Sequence, residues 1–171
     1  MPLAAGGSLN AAVHTRPLQL DWNLEFTQTP TILARDYWRS RRRAYGMPAR
    51  ADIAPAAMRK FVAHAGLSEI RPGTRQVDYF IRLAGTRWED VFGPMTGRFL
   101  EDFLPPEIEM RWRTVFDAVR KAATPVGIAT GIEFQGKSWL TCEMFVAPLG
   151  DAAHNVTMLF LCFASGSSVR R

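Results

Sequence analysis

The side chains able to do chemistry are few and scattered. Histidine occurs only at positions 14, 64 and 154, and cysteine only at 142 and 162. No two histidines stand at the helical or short-loop spacing that aims two imidazoles at one metal ion, so no metal centre is expected. His64 sits in an apolar stretch and reads as a packed or surface histidine rather than a haem ligand. Ser68 lies in Gly66-Leu67-Ser68-Glu69-Ile70, which lacks the second glycine of a nucleophile elbow. No glycine-rich loop that could cradle a phosphate is present. With no acid–base or nucleophile set to nominate, the chain reads as a non-enzyme.

The cysteines offer one testable pairing. A simple hairpin turning around residue 152 sets position i against 304 − i and places Cys142 opposite Cys162. Cross-strand Cβ atoms lie about 4.5–5.5 Å apart, slightly long for a disulfide. A slip of one residue would put the two on opposite faces. A weak redox-sensitive pair and two buried apolar residues are therefore both open, the second being the plainer reading.

Charge is unevenly placed. The chain carries 21 basic and 16 acidic side chains, a formal +5. Residues 1–50 hold seven basic and three acidic ones, net +4, and the remaining 121 residues are nearly balanced at +1. The excess centres on Arg39-Ser40-Arg41-Arg42-Arg43, which reads as a solvated helix face opposing the negative end of the helix dipole. A nucleic-acid binder usually carries a broader basic footprint, so nucleic acid is the weaker alternative for this run.

The elements that must position these residues follow from periodicity. A helix is expected from Pro30-Thr31 to Gly46, with Leu33, Tyr37 and Ala44 or Tyr45 on one stripe. A short helix is expected over 50–60, with Asp52 as a plausible cap and Pro55 in its first turn. Phe61 to Ile70 and Val77 to Ala84 read as strands around an Arg71-Pro72-Gly73-Thr74 turn, and Phe80 breaks the alternation of the second. Short helical pieces punctuated by Gly85, Gly93 and Gly97 occupy 85–104. The best helix of the chain, Glu107 to Ala123, carries Ile108, Trp112, Val115, Phe116 and Val119 on one face. Three strands close the sequence: Val126 to Phe134, Trp139 to Ala147 and Val156 to Ala164, the first two joined by Gln135-Gly136-Lys137. Strands in consecutive hairpins argue for one antiparallel sheet with helices packed on a face.

Composition fits that architecture. Apolar residues make up 47% and charged residues 22%, enough apolar surface to bury against the entropy of ordering. The longest apolar run, Met158 to Ala164, is far short of the roughly 18 residues a membrane helix needs. The opening MPLAAGGSLNAAVHTRP lacks the charged and apolar regions of a secretory signal, so a cytoplasmic protein is expected.

Three stretches resemble the PAS domain, and in particular the short stand-alone bacterial proteins that carry little beyond it. They are Tyr37-Trp38 followed by GMPARADIAPAAM (46–58), DYFIRLAGTRWEDVFGPMTGRFLEDF (78–103), and a helix leading to Pro125 and three strands. Within the second, a strand running into Gly85-Thr86, then Phe92-Gly93, then Thr96-Gly97-Arg98 carries most of the likeness. The resemblance implies an α+β fold: a five-stranded antiparallel sheet with helices on one face and an N-terminal helix flanking it. It spans 31–164, with 1–30 expected as a flexible arm, within which Leu18 to Phe26 could dock on a surface, and 165–171 as a disordered tail. It also implies a sensory or protein-interaction module, commonly homodimeric, acting through a separate signalling partner. PAS relatives that bind flavin covalently carry a reactive cysteine on a helix after the second strand, and the corresponding Thr86 to Phe103 has none. Neither haem nor flavin is supported by motif.

If the sheet–helix space holds a small ligand, Phe80, Leu83, Trp88, Phe92, Phe99, Phe103, Phe116, Met144 and Phe160 are expected to line it; aromatic side chains dominate pockets and cores alike. Gly127, Ala129 and Gly131 form a row of small residues that allows either close packing or ligand volume. Leu33, Tyr37, Trp38, Arg39 and Arg42 are expected to form an interaction helix. Val156 to Ala164 is apolar on both faces and needs cover on both, supplied on the second side by the first helix or by another subunit. A small-molecule carrier, and then a nucleic-acid binder using the Arg39–Arg43 helix, are the alternatives to the sensor reading.

Overall fold

A computed structural model describes residues 18–134 and 138–167. The described strands form one antiparallel sheet in the order β1-β5-β6-β7-β2-β3-β4. Five are long: β2 (Ala65–Gly73), β3 (Gln76–Ala84), β5 (Val126–Phe134), β6 (Ser138–Gly150) and β7 (Val156–Ser167). The five-stranded expectation is extended by two dipeptide strands at the edges. β1 (Leu20–Asp21) pairs with Ile128 and Gly127, and β4 (Arg98–Phe99) pairs with Ile81 and Phe80.

Alternation along β6 and β7 sorts two cores. Cys142, Met144 and Val146, with Leu159, Leu161 and Phe163, face one side, where α2 (Thr86–Phe92), α3 (Leu100–Phe103) and α4 (Pro106–Ala122) pack. Phe145, Ala147 and Leu149, with Phe160 and Cys162, face the other, where α1 (Thr29–Ser40) packs. Each central strand is thus covered on both faces by its own chain, which is why β7 is apolar on both faces from Met158 to Ala164. The first helix, not a second subunit, supplies the cover.

Several boundaries differ from the sequence reading. α1 ends at Ser40 rather than at Gly46. Continued helix would set Arg43 four positions from Arg39, a like-charge pair on one face. The chain instead turns back, with Arg43 N–H donating to Met47 O and Gly46 at φ +100. The short helix expected over 50–60 is two 3₁₀ turns at Arg50–Asp52 and Pro55–Met58, and the start of the strand expected from Phe61 is a third, at Val62–His64, so that strand begins at Ala65. Residues 18–30 are packed on the domain rather than a free arm: Leu24 is buried and β1 extends the sheet. β7 runs into the expected tail as far as Ser167. Residues 1–17, His14 included, the 135–137 turn and residues 168–171 lie outside the described residues.

The cysteine pairing is overturned. β6 and β7 pair with positions summing to 307, so Cys142 faces Ser165 and Cys162 faces Phe145. The turn is centred later than residue 152 because the Asp151 carboxylate accepts the N–H groups of Ala153 and Asn155, and His154 takes φ +66. An odd shift of three residues also moves the cysteines to opposite faces of the sheet.

Candidate functional site

The space between the sheet and α2–α4 is built on close backbone approach. A Cβ on Gly85 would lie 2.3 Å from Ala63 O, so only glycine lets β3 turn into α2 against residues 62–65. α2 then ends at Gly93, φ +76. This turn aims Trp88, with no exposed surface, into the centre of the space. Its indole Nε1–H donates to His64 O at 2.7 Å, while the His64 ring donates from Nδ1 to Phe163 O at 2.8 Å. His64 is therefore a strut between the third 3₁₀ turn, α2 and β7.

Around Trp88 the rings interlock. Trp112 and Phe163 lie 5.5 and 5.2 Å from it, and Phe92 lies 4.9 Å from Trp112 and 5.6 Å from Phe163. Phe103 and Phe116 flank Trp112 at 6.3 and 6.1 Å. The arrangement is the edge-to-face and tilted packing that aromatic quadrupoles favour. One polar atom breaks this apolar interior. Ser68, between Ile81 and Leu159 in register and fully buried, has a hydroxyl without a hydrogen-bond partner among the described residues.

Of the nine expected lining residues, the structure brings together Trp88, Phe92, Phe103, Phe116 and Met144. Phe80 and Phe99 instead meet edge to face at the β3–β4 edge, 5.2 Å apart, with the Arg71 guanidinium 3.6 Å over the Phe80 ring. Phe80 alternates with the inward Tyr79 and Ile81, so it must point away. Leu83 is 43% exposed, because a bulge between Leu67 and Ser68 resets the alternation before β3 ends. Phe160 lies on the opposite face, under α1. Trp112, Phe163 and Ser68 were not in the expected set; the apolar period of α4 could have placed Trp112, whereas β7 is apolar on both faces around Phe163 and carries no such signal.

The rim of this space beside α4 is charged. Arg113 pairs with Glu109 at 2.8 Å, Asp78 at 3.4 Å and Glu101 at 3.7 Å, and donates to Val77 O at 2.6 Å. Tyr79 donates to Asp117 at 2.5 Å. Burial and then that bond push its phenol well above the ordinary range, so it stays protonated. Burial alone pushes the Cys142 thiol up to about 12, and it too stays protonated.

On the outer face, α1 is held by a residue that the sequence reading missed. Glu143 of β6, only 4% exposed, accepts from Thr27 N–H (2.7 Å) and hydroxyl (2.5 Å), Gln28 N–H (2.9 Å) and the Thr31 hydroxyl (2.7 Å). Gln28 does not cap the helix with its own side chain, so the sheet supplies the anion at its positive end. Burial opposes ionisation of Glu143, but the bonds from Thr27, Gln28 and Thr31 outweigh it and hold the carboxyl below its ordinary value. A lone carboxylate in an apolar strand was the available signal.

The expected interaction-helix residues divide. Trp38 is buried and donates to Pro148 O at 3.0 Å, and Leu33 and Tyr37 pack partly against the same core. Arg39 and Arg42 are exposed. In the row of small residues, a Cβ on Gly127 would lie 2.9 Å from the Phe26 ring, so there the row serves close packing. No group of three or more His, Cys, Asp or Glu able to hold a metal ion occurs among the described residues, and none of their helices is long and apolar enough to cross a membrane.

One antiparallel sheet thus carries α2–α4 on one face and the N-terminal helix α1 on the other. The family model described as PAS domain matches residues 26–163, and the chain belongs to that family. No curated protein matches it. Among solved structures it is similar to a light-oxygen-voltage domain studied with a flavin analogue, at 15% identity and TM-score 0.47, over 66% of this chain and 84% of that one. It is also similar to the light-state structure of the blue-light photoreceptor Aureochrome1 LOV, at 15% identity and TM-score 0.44, over 66% of this chain and 88% of that one.

Proposed function

We propose that this PAS domain is a non-enzymatic protein-interaction module of bacterial cytoplasmic signalling, dimeric, that acts through a separate partner. The observation that carries this reading is the interlocked aromatic filling of the sheet–helix space. A signal then reaches the domain through its surface rather than through a resident chromophore. Exposed Val62 and Leu83, 39% and 43%, lie where residues 62–65 pack on 83–85, a rim open to a second copy. Light scattering over a concentration series tests the dimer, with monomer at every concentration counting against it. The partner is tested by crosslinking in cells followed by identification of what is joined to the domain.

A second reading, a small-molecule carrier, is favoured by the orphaned Ser68 hydroxyl, which faces the interior and could bond a small polar ligand. Denaturing the purified protein and analysing what is released separates the two. A stoichiometric metabolite supports the carrier, and its absence together with a melting temperature indifferent to a ligand panel supports the interaction module.

A further inference from the structure

The charge excess of this chain has a single location. Residues 39–60 carry seven basic side chains, from Arg39 to Lys60, against Asp52 alone, net +6; the other 149 residues carry 14 basic and 15 acidic ones, net −1. All seven cations are exposed. Tyr37 ties the two ends of this segment to the end of the first helix. The Arg41 guanidinium lies 5.3 Å over its ring. Its hydroxyl donates to Asp52 O and accepts from Ala54 N–H at 2.9 Å. Its ring meets Phe61, next to Lys60, at 5.9 Å.

The array is also pre-arranged. Arg43 is fixed bidentately by Asp52 at 2.7 and 3.0 Å. Arg42 donates to Arg39 O and Arg50 to Ile53 O, at 3.3 and 3.0 Å. Apart from Arg43, none of the seven forms an ion pair with a carboxylate among the described residues. Compensation of the α1 dipole would need only cations in its last turn, yet Arg50, Arg59 and Lys60 lie well beyond the helix. Collecting so many like charges is costly in self-repulsion, and a bound anion would relieve it.

We infer that this face docks an acidic segment of a partner protein, an extended stretch rich in Asp and Glu. The inference rests on the reading of the domain as a protein-interaction module and names the chemistry of its partner. Guanidinium forks suit carboxylates bidentately, and side chains already held in place lose little freedom on binding. Nucleic acid fits less well, because Trp38 is buried and Tyr37 lies beneath Arg41, which leaves no open ring for a base to stack on. A membrane fits less well too, because the exposed side chains between the cations are small, namely alanines, Ser40 and Pro55, with no large apolar group to insert.

The test is fluorescence anisotropy of a labelled polyglutamate peptide with the full chain, as a salt series. Two doubly substituted variants of equal total charge are compared: Arg39→Glu with Arg42→Glu in the patch, and Arg87→Glu with Lys121→Glu at exposed sites elsewhere. The patch variant is expected to bind at least about tenfold more weakly and the matched variant to stay within about twofold of the parent. Equal loss in both variants, or no binding by the parent at low salt, overturns the inference. Tighter binding at equal phosphate or carboxylate concentration to a duplex oligonucleotide or an anionic vesicle overturns the choice of a protein segment. Circular dichroism melts establish that each variant is folded. Peptide binding is read without reference to dimerisation or to a cellular partner, so a monomeric domain that still binds through the patch sinks only the dimer reading.

Discussion

Replacing Glu143 by alanine removes the carboxylate that ties the entry of α1 to the sheet. The variant strands the N–H groups of Thr27 and Gln28 and the Thr27 hydroxyl at a site where Glu143 is only 4% exposed, while the Thr31 hydroxyl keeps Gln28 O as an acceptor at 2.9 Å. Bonds to a charged group are worth roughly 1.5–3 kcal/mol each, and they are not additive within one network. A loss of about 3 kcal/mol is expected for Glu143→Ala, and about half that for Glu143→Gln, which keeps one acceptor but offers a donor to the other two donors. At about 2–4 °C per kcal/mol for a domain of this size, the alanine variant should melt roughly 6–12 °C lower. Trp38 and Ala34 still anchor the far half of the helix, so amide exchange should quicken first over residues 29–33.

The pH dependence has a definite sign. The folded-state carboxyl of Glu143 lies below its ordinary value, so its stabilisation is present above the unfolded value of about 4.3 and is lost as pH falls through the lower folded one. The stability gap between the parent and Glu143→Gln should therefore be flat near neutrality and close only in acid. Urea denaturation at several pH values, followed by tryptophan fluorescence, measures it. An alanine variant within about 0.5 kcal/mol of the parent, with α1 amides equally protected, would refute the latch.

Two further outcomes follow from the interior. Ser68→Ala removes a buried hydroxyl that has no partner, and should raise stability by about 1 kcal/mol in a denaturant titration; a loss instead would reveal a bound molecule on that hydroxyl. Cys142 and Cys162 are buried on opposite faces, so both should resist a thiol reagent in the native protein and both should react after oxidation and unfolding. An oxidised sample that unfolds with no free thiol would contradict the observed register.

Much of the fold was legible because it rests on local pattern. The alternation from Val77 to Ile81, the apolar stripe of α4 and the turn glycines at 85, 93 and 97 marked the five long strands, the main helix and the family resemblance. Five of the nine side chains expected in the sheet–helix space, Trp88, Phe92, Phe103, Phe116 and Met144, follow those periods into the interior. Phe160 could not be placed that way: on a strand apolar throughout, either set of alternate residues can face the helices, and only the register with β6 decides. The same register separated the cysteines, set by an Asp151 turn three residues off the symmetric hairpin. Composition and periodicity along the chain thus determined which segments become strands and helices, because those choices depend on near neighbours. Which face each side chain joins, and that Glu143 would meet Thr27 from 116 positions away, was decided only when distant segments packed, because a buried charge is tolerable only where its partners converge.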